Sequence, residues 1–296
     1  METKNGGALA KTVDKLFEKY VEKFEQEFLR AINTDDEEAI HDLRVSIKKI
    51  QALFLFLKES NLAHIKSDYP YLKNLKDVFK KAGRLREIHI HKNLYAHYRQ
   101  KTGKSFPALE QFLDQQEEES RKAYHDYMPG IQFRKFYDQA NRLQSDIRGI
   151  SQKKLNNKLF EFIQSRVEEC HGYMFEPHYE QHLHQIRKYL KHIRFITGQK
   201  IGDVHKIFGD ELSFDDTKKV EDILGEWHDR DEFRVMLEEL NENPDFSKTG
   251  DTKELLNTYH DEVLKDIRED IKKLRPELIH VFALMKNLLE RNTHYA

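Results

Sequence analysis

The sequence predicts an all-α protein, and three observations support this fold class. Charged residues make up 34% of the 296-residue chain and hydrophobic residues 38%, with a mean hydropathy of −0.82, a balance that suits long amphipathic helices. Only 12 Gly and 6 Pro occur, so tight turns are few. Apolar residues recur every three or four positions along most of the chain, which is the helical period. The length is about twice the roughly 150 residues of a typical domain, so a substantial core is expected.

The N-terminal part of the chain predicts three helices. Apolar residues at helical spacing place the first helix at about residues 9–32. The segment that follows has the pattern of a capping box with Thr34 as the N-cap, so a second helix is expected from there to about Ser60. Pro70 interrupts the pattern, and a third helix is expected over about 71–99.

The remainder of the chain continues in the same helical period. An acidic helix is predicted first, and the later apolar patterns predict five more, with Asn243-Pro244 as a loop. The predicted helices lie at about 109–127, 151–173, 178–199, 210–229, 251–273 and 276–292.

Charge is unevenly distributed along the chain. The net charge is −2, which argues against a uniformly basic nucleic-acid binder. Residues 41–104, however, carry fifteen Lys and Arg against five Asp and Glu, a local excess of +10. This excess favours a negatively charged partner that binds to this part of the chain over one that binds the whole surface.

The single cysteine, Cys170, excludes an internal disulfide framework and a cysteine-based metal cluster. No apolar run approaches the ~20 residues of a membrane-spanning helix, and the N-terminus lacks the apolar core of a signal peptide. We therefore expect a cytoplasmic protein that makes no membrane contact.

The segment His41-Asp-Leu-Arg44-Val-Ser-Ile-Lys48-Lys49, the first repeat motif, combines two stripes on one helix. His41, Arg44 and Lys48 fall at i, i+3 and i+7, so their side chains lie along one face. Leu43 and Ile47 follow the same spacing about 100° further round the helix. The apolar stripe can pack inward while the basic stripe stays accessible.

The same two stripes recur in His184-Gln-Ile-Arg187-Lys188-Tyr-Leu-Lys191-His-Ile-Arg194, the second repeat motif. A glycine follows each motif at a similar interval, Gly83 after 42 positions and Gly225 after 41. A repeat of about 142 residues indicates two related halves, at about 8–145 and 150–292. Gly83 within a helical pattern costs about 1 kcal/mol relative to Ala, which predicts either a close approach to the backbone or a break in the helix.

Like charges at helical spacing destabilise a helix by a few tenths of a kcal/mol per pair. A single basic stripe is most simply a solvated surface. Since the stripe is duplicated together with its apolar seam, we favour a bound polyanion.

The two motifs, with the glycine segment that follows each, resemble the CHAD family, the conserved histidine α-helical domain. The resemblance covers nearly the whole chain, so one CHAD-like domain is expected over 8–292. It implies two four-helix bundles related by a pseudo-twofold axis, with basic residues of both halves lining a central groove or pore. It also implies non-catalytic binding of inorganic polyphosphate, with no cofactor and no metal. A homodimer and an association with polyphosphate granules are further expectations.

Carried over onto this sequence, the resemblance implies a set of basic polyphosphate-binding residues on both motifs and on the segments beside them. These are His41, Arg44, Lys48, Lys49, Lys76, Lys80, Arg84, Arg86, His184, Arg187, Lys188, Lys191, Arg194 and Lys218. The sequence departs from the family pattern at three positions. Gln51 stands where Arg194 predicts a cation, Glu87 replaces an Asp, and His228 replaces an Asn.

Two other function classes remain open. A metal-dependent phosphohydrolase of the helical His-Asp type would use the adjacent pairs His41-Asp42, His228-Asp229 and His260-Asp261. A second metal candidate is the set His178, His182 and His184, because i and i+4 share a helix face. A nucleic-acid phosphate-backbone binder would use the basic stripes, but few aromatic residues interleave with them for base stacking. No nucleophile with a positioned base and no complete glycine-rich phosphate loop is found, so we expect no enzymatic activity.

Overall fold

A computed structural model describes residues 6–34, 36–62, 70–138, 141, 150–198, 208, 212, 214–247 and 249–292. Every regular element within these ranges is helical, which confirms the predicted all-α class. The predicted division between the halves, at about 145–150, falls mostly outside the described residues, as do the residues just before Pro70.

The described residues form eight long α-helices. Their bounds are α1 Gly6–Thr34, α2 Glu37–Glu59, α3 Pro70–Thr102, α4 Pro107–Tyr127, α5 Gln152–Tyr173, α6 Leu183–Thr197, α7 Phe214–Glu242 and α8 Gly250–Arg291. Two short 3₁₀ turns, Met128–Gly130 and Tyr179–His182, precede a helical segment at 133–138 and α6, respectively.

Consecutive helices pack side by side, and some contacts cross between the two parts of the chain. α1 packs on α2, α2 on α3 and α3 on α4, and the series α5 to α8 repeats this order. The crossing contacts include α2 with α6 and α3 with α7. The two helices that carry the repeat motifs therefore touch each other directly.

The predicted apolar seams of the motif helices form part of the core. Leu43 and Ile47 of α2 are 0% exposed, as are Ile186 and Leu190 of α6. This burial confirms that the predicted apolar seams pack inward. The basic stripe beside the first seam is itself partly buried, since Arg44 and Lys48 are intermediate in exposure.

The N-cap of α2 differs from the predicted one. Asp36 has extended backbone angles, and its carboxylate accepts a hydrogen bond of 3.3 Å from the backbone N–H of Ala39. The hydroxyl of Thr34 instead donates to the carbonyl of Arg30 at 2.9 Å, which keeps Thr34 at the end of α1. Thr34 is thus occupied by the helix that precedes it, and the cap passes to the next suitable acceptor.

The C-terminal region forms one helix where two were predicted. Pro276 lies inside α8, although proline in a helix interior removes a hydrogen bond and costs about 3 kcal/mol. Leu274 and Leu278 on either side are both 0% exposed, and burying each such side chain contributes about 1.5–3 kcal/mol. Packing on both sides of the proline therefore outweighs its local cost.

Candidate functional site

The basic stripes of the two motif helices converge. Arg44 and Lys48 of α2 lie close to Arg187 and Lys191 of α6, and we call these four residues the cation cluster. Burial, then the charges of Lys191 and Arg44, lowers the pKa of Lys48 to about 7. Burial, then the charge of Arg187, lowers the pKa of Lys191 to about 8. The free cluster therefore concentrates like charges in a partly desolvated place, where each cation disfavours the protonated form of its neighbours.

Arg44 is held against α3 by three contacts. Its Nη1 donates to the carbonyl of Phe79 at 2.9 Å, and its Cζ lies 4.2 Å from the centroid of the Phe79 ring. A Cβ at Gly83 would overlap Nη1 of Arg44 and come within 3.3 Å of its Cζ. Gly83 thus leaves room for a close approach of the Arg44 guanidinium, which confirms one of the two predicted reasons for it. The other, a helix break, is wrong because α3 is continuous there.

The second half of the site differs in detail. Nothing lies within 4 Å of a Cβ built at Gly225, so Arg187 does not repeat the contact that Arg44 makes with Gly83. Nε of Arg187 is buried and makes no hydrogen bond with the described residues. The cluster therefore presents a buried donor that a bound anion could use.

Two acidic residues of α7 accompany the cations. Glu221, only 9% exposed, accepts a 3.0 Å hydrogen bond from Nη2 of Arg194 and lies 3.9 Å from Nζ of Lys191. Burial raises the pKa of Asp229, while the charge of Arg187 opposes that rise. Both carboxylates partly neutralise the cluster, and the contacts of Glu221 with Arg194 and Lys191 hold its α6 side in place.

Sequence reasoning missed Phe79 and Glu221 as members of the site. Phe79 carries a signal in the sequence, because its position four residues before Gly83 puts both on one face of α3. Glu221 had no local signal, because its partners lie on a different helix.

The histidines of the two motifs lie at the edge of the cation cluster. Partial burial, then the charge of Arg86, lowers the pKa of His41, and Lys48 adds to this effect. Nε2 of His184 lies 3.4 Å from a carboxylate oxygen of Asp231, and its ring centroid is 5.1 Å from that of His228. Both histidines are exposed enough to reach a ligand, and both have protein neighbours as well.

The predicted residues of α3 divide into two groups. Arg86 pairs with Glu37 at 3.0 Å, and its charge reaches Arg44, so it belongs beside the cluster. Arg84 points to α4, where it donates a hydrogen bond to Gln116 at 2.8 Å, and it also pairs with Glu87 at 2.6 Å.

The remaining predicted cations lie beside the cluster or on open surface. Lys49 faces lysines of α1 as well as Arg194. Among the contacts of the described residues, none joins four exposed lysines to the cluster. These are Lys76, Lys80, Lys188 and Lys218.

The histidines considered as metal ligands go to separate partners. His178 and His182 lie in or next to a 3₁₀ turn, so the expected i, i+4 helical spacing to a common face does not apply. His182 stacks on Tyr173 at 4.0 Å and lies 2.7 Å from an oxygen of Glu176. Within the described ranges, no group of three or more His, Cys, Asp or Glu side chains is placed to hold a metal ion.

The adjacent His-Asp pairs are likewise divided among different contacts. Asp42 pairs with Arg30 at 3.0 Å, and His260 lies 2.9 Å from a carboxylate oxygen of Glu238.

In the part of the chain that the structure describes, no helix is long and apolar enough to cross a membrane.

The comparison with protein families gives a match to the CHAD domain over residues 15–238. The chain belongs to the CHAD family. The match includes both repeat motifs, from His41 to the acidic residues of α7. The fold is similar to that of the crystal structure of the CHAD domain from the plant Ricinus communis, with a TM-score of 0.67, 12% sequence identity and coverage of 91% of each chain. A search of curated proteins finds no match.

Proposed function

We propose that this CHAD protein binds inorganic polyphosphate, without catalysis, at the cation cluster. The observation that supports it is the meeting of Arg44 and Lys48 with their counterparts in the second motif. Arg and Lys bind phosphoryl oxygens through charge-assisted hydrogen bonds. A linear polyanion would neutralise the cations together and remove the repulsion that the free cluster carries.

We also propose that the fold consists of two four-helix bundles, α1–α4 and α5–α8, related by a pseudo-twofold axis between α2 and α6. The contacts of α2 with α6 and of α3 with α7 support this arrangement. Residues at equivalent positions of a two-fold arrangement meet near its axis, as Lys48 and Lys191 do. The cation cluster would then line the central groove.

The geometry favours a chain of phosphates over nucleic acid. His41 and Lys48 are seven positions apart, or about 10 Å along the helix, so the stripe offers a row of cations to a linear anion. Phe79 is an aromatic residue in contact with the cluster, and Arg44 covers its ring. A base would have to displace Arg44 in order to stack there.

Binding can be tested by competition at fixed ionic strength, with labelled polyphosphate on the protein and unlabelled polyphosphate, RNA and DNA as competitors. We expect only polyphosphate to displace the label efficiently, and the affinity to fall steeply with salt because binding releases condensed counterions. Equal displacement by nucleic acid would contradict the proposed selectivity. Incubation with polyphosphate and Mg²⁺ or Mn²⁺ while released phosphate is measured tests for hydrolysis, for which we expect none above background.

A further inference from the structure

A cavity of about 320 Å³ opens between α1 and α2, at the small end of the ~300–1,000 Å³ typical of ligand sites. Three of the residues that line it are lysines, Lys19 and Lys23 of α1 and Lys49 of α2. Glu22 also lines it, and Lys23 forms an ion pair with Glu27. We call Lys19, Lys23 and Lys49 the lysine cavity.

The lysine cavity lies next to the cation cluster. The pKa of Lys49 is lowered by burial, then by the charges of Arg194 and Lys19 and of Lys23. Arg194 in turn shares Glu221 with Lys191 of the cluster. Positive charge therefore continues without a wide gap from the cluster, through Arg194, to the surface between α1 and α2.

At the corresponding positions of the second half, side chains fill the equivalent space. The offset of 143 residues that aligns His41 with His184 also aligns the buried faces of α1 and α5, for example Phe17 with Phe160 and Phe24 with Val167. It places Lys19 opposite residue 162 and Lys23 opposite residue 166.

These two residues are Phe162 and Arg166, and their contacts fill the corresponding space in the second half. Cζ of Arg166 lies 3.4 Å from the centroid of the Phe162 ring and 5.1 Å from that of Tyr189, the counterpart of Ser46. Its Nη2 pairs with Glu59 at 2.6 Å. In the second half, aromatic rings and a paired arginine thus fill this space. In the first half, the same space is open and lined with lysines.

We propose that the lysine cavity is a second anion site, which holds phosphate groups of a polyphosphate chain where the chain leaves the cation cluster past Arg194. This inference rests on the proposed function. Lysine is a flexible point charge that accepts phosphates in many orientations, which suits the end of a track that must hold chains of different length. Tripolyphosphate, which fills only the central cluster, does not reach the lysine cavity.

The test compares Lys19→Ala/Lys23→Ala with a control that carries the same loss of charge elsewhere, Lys253→Ala/Lys272→Ala, whose lysines are exposed on α8. Affinity is measured by titration calorimetry with tripolyphosphate and with a chain of several tens of phosphates. We expect the first variant to bind the long chain about tenfold more weakly and tripolyphosphate as the unchanged protein does. The slope of log affinity against log salt should become shallower by about 1.4 for the long chain, as two phosphate contacts are lost.

Two outcomes would overturn the inference while leaving the proposed function intact. One is a long-chain affinity that falls no more than in the control variant, and the other is an equal loss for tripolyphosphate and the long chain. Failure of the unchanged protein to bind any polyphosphate would overturn the proposed function together with this extension. The remaining alternative is that the lysine cavity binds free phosphate, and competition with orthophosphate tests it. In that case millimolar orthophosphate would occupy the cavity and leave long-chain binding unaffected.

Discussion

Arg44 and Gly83 fit together across two helices, because the guanidinium of Arg44 occupies the space that a side chain at position 83 would need. The hydrogen bond from Arg44 to the carbonyl of Phe79 fixes the guanidinium there. A glycine that would weaken α3 as an isolated helix thus makes room for a cation of the candidate site.

Substitution of Gly83 should separate stability from binding. In Gly83→Ala the new methyl group displaces the guanidinium of Arg44, so we expect polyphosphate affinity to fall about threefold to tenfold. Helicity should be retained, because alanine favours a helix over glycine by about 1 kcal/mol. Calorimetric titration and circular dichroism measure the two effects.

Gly225→Ala is the matched control for this substitution. No atom lies within 4 Å of its added Cβ, so stability should rise by about 0.5–1 kcal/mol and polyphosphate affinity should not change. Equal losses of affinity in the two variants would show that Arg44 placement is not the cause.

Removal of the cation cluster should abolish binding and preserve the fold. In Arg44→Ala/Lys48→Ala/Arg187→Ala/Lys191→Ala, the apolar seam of each motif helix stays intact, and the repulsion among partly buried cations disappears. We expect no detectable polyphosphate binding and an unchanged helical circular-dichroism signal. A loss of helical signal would mean that these residues serve the fold.

Binding and stability should respond to pH in opposite directions. The pKa of Lys48 is about 7 in the folded chain, against about 10.4 in an unfolded one, so the unfolded state binds more protons between these values and stability rises with pH through this window. Polyphosphate affinity should instead fall above pH 7, and further above pH 8 as Lys191 loses its proton.

Chemical denaturation and titration calorimetry at pH 6 to 9.5 test these two trends. Lys48→Arg/Lys191→Arg is the matched control, because arginine stays protonated throughout this range. It should bind polyphosphate with a flatter pH profile. A wild-type affinity that does not change between pH 6 and 9.5 would contradict the assigned role of the two lysines.

Glu221 should restrain binding while it supports the fold. Glu221→Gln removes the negative charge that Arg194 and Lys191 share, so polyphosphate should bind about threefold to tenfold more tightly. The unfolding free energy should fall by about 1–3 kcal/mol, because buried charged groups lose their partner. Weaker polyphosphate binding in this variant would show that Glu221 positions the cations more than it neutralises them.

Local sequence patterns were sufficient for the helices and for the two motif stripes. Spacing of three and four residues depends only on the geometry of one helix, so the burial of Leu43 and the alignment of Arg44 with Lys48 could be predicted. Errors arose where neighbours in space intervened. Thr34 bonds back to α1 and leaves Asp36 as the cap, and buried leucines on both sides keep α8 continuous through Pro276.

The sequence by itself determined the all-α class, the duplicated motif and the cations that the motif carries, because each depends on residues within a few helical turns. Tertiary structure alone decided that Arg44 lies on Gly83, that Glu221 pairs with the cations of α6, and that a lysine-lined cavity remains between α1 and α2. These relationships join residues far apart in the chain, and only the packing of whole helices brings them within reach of one another.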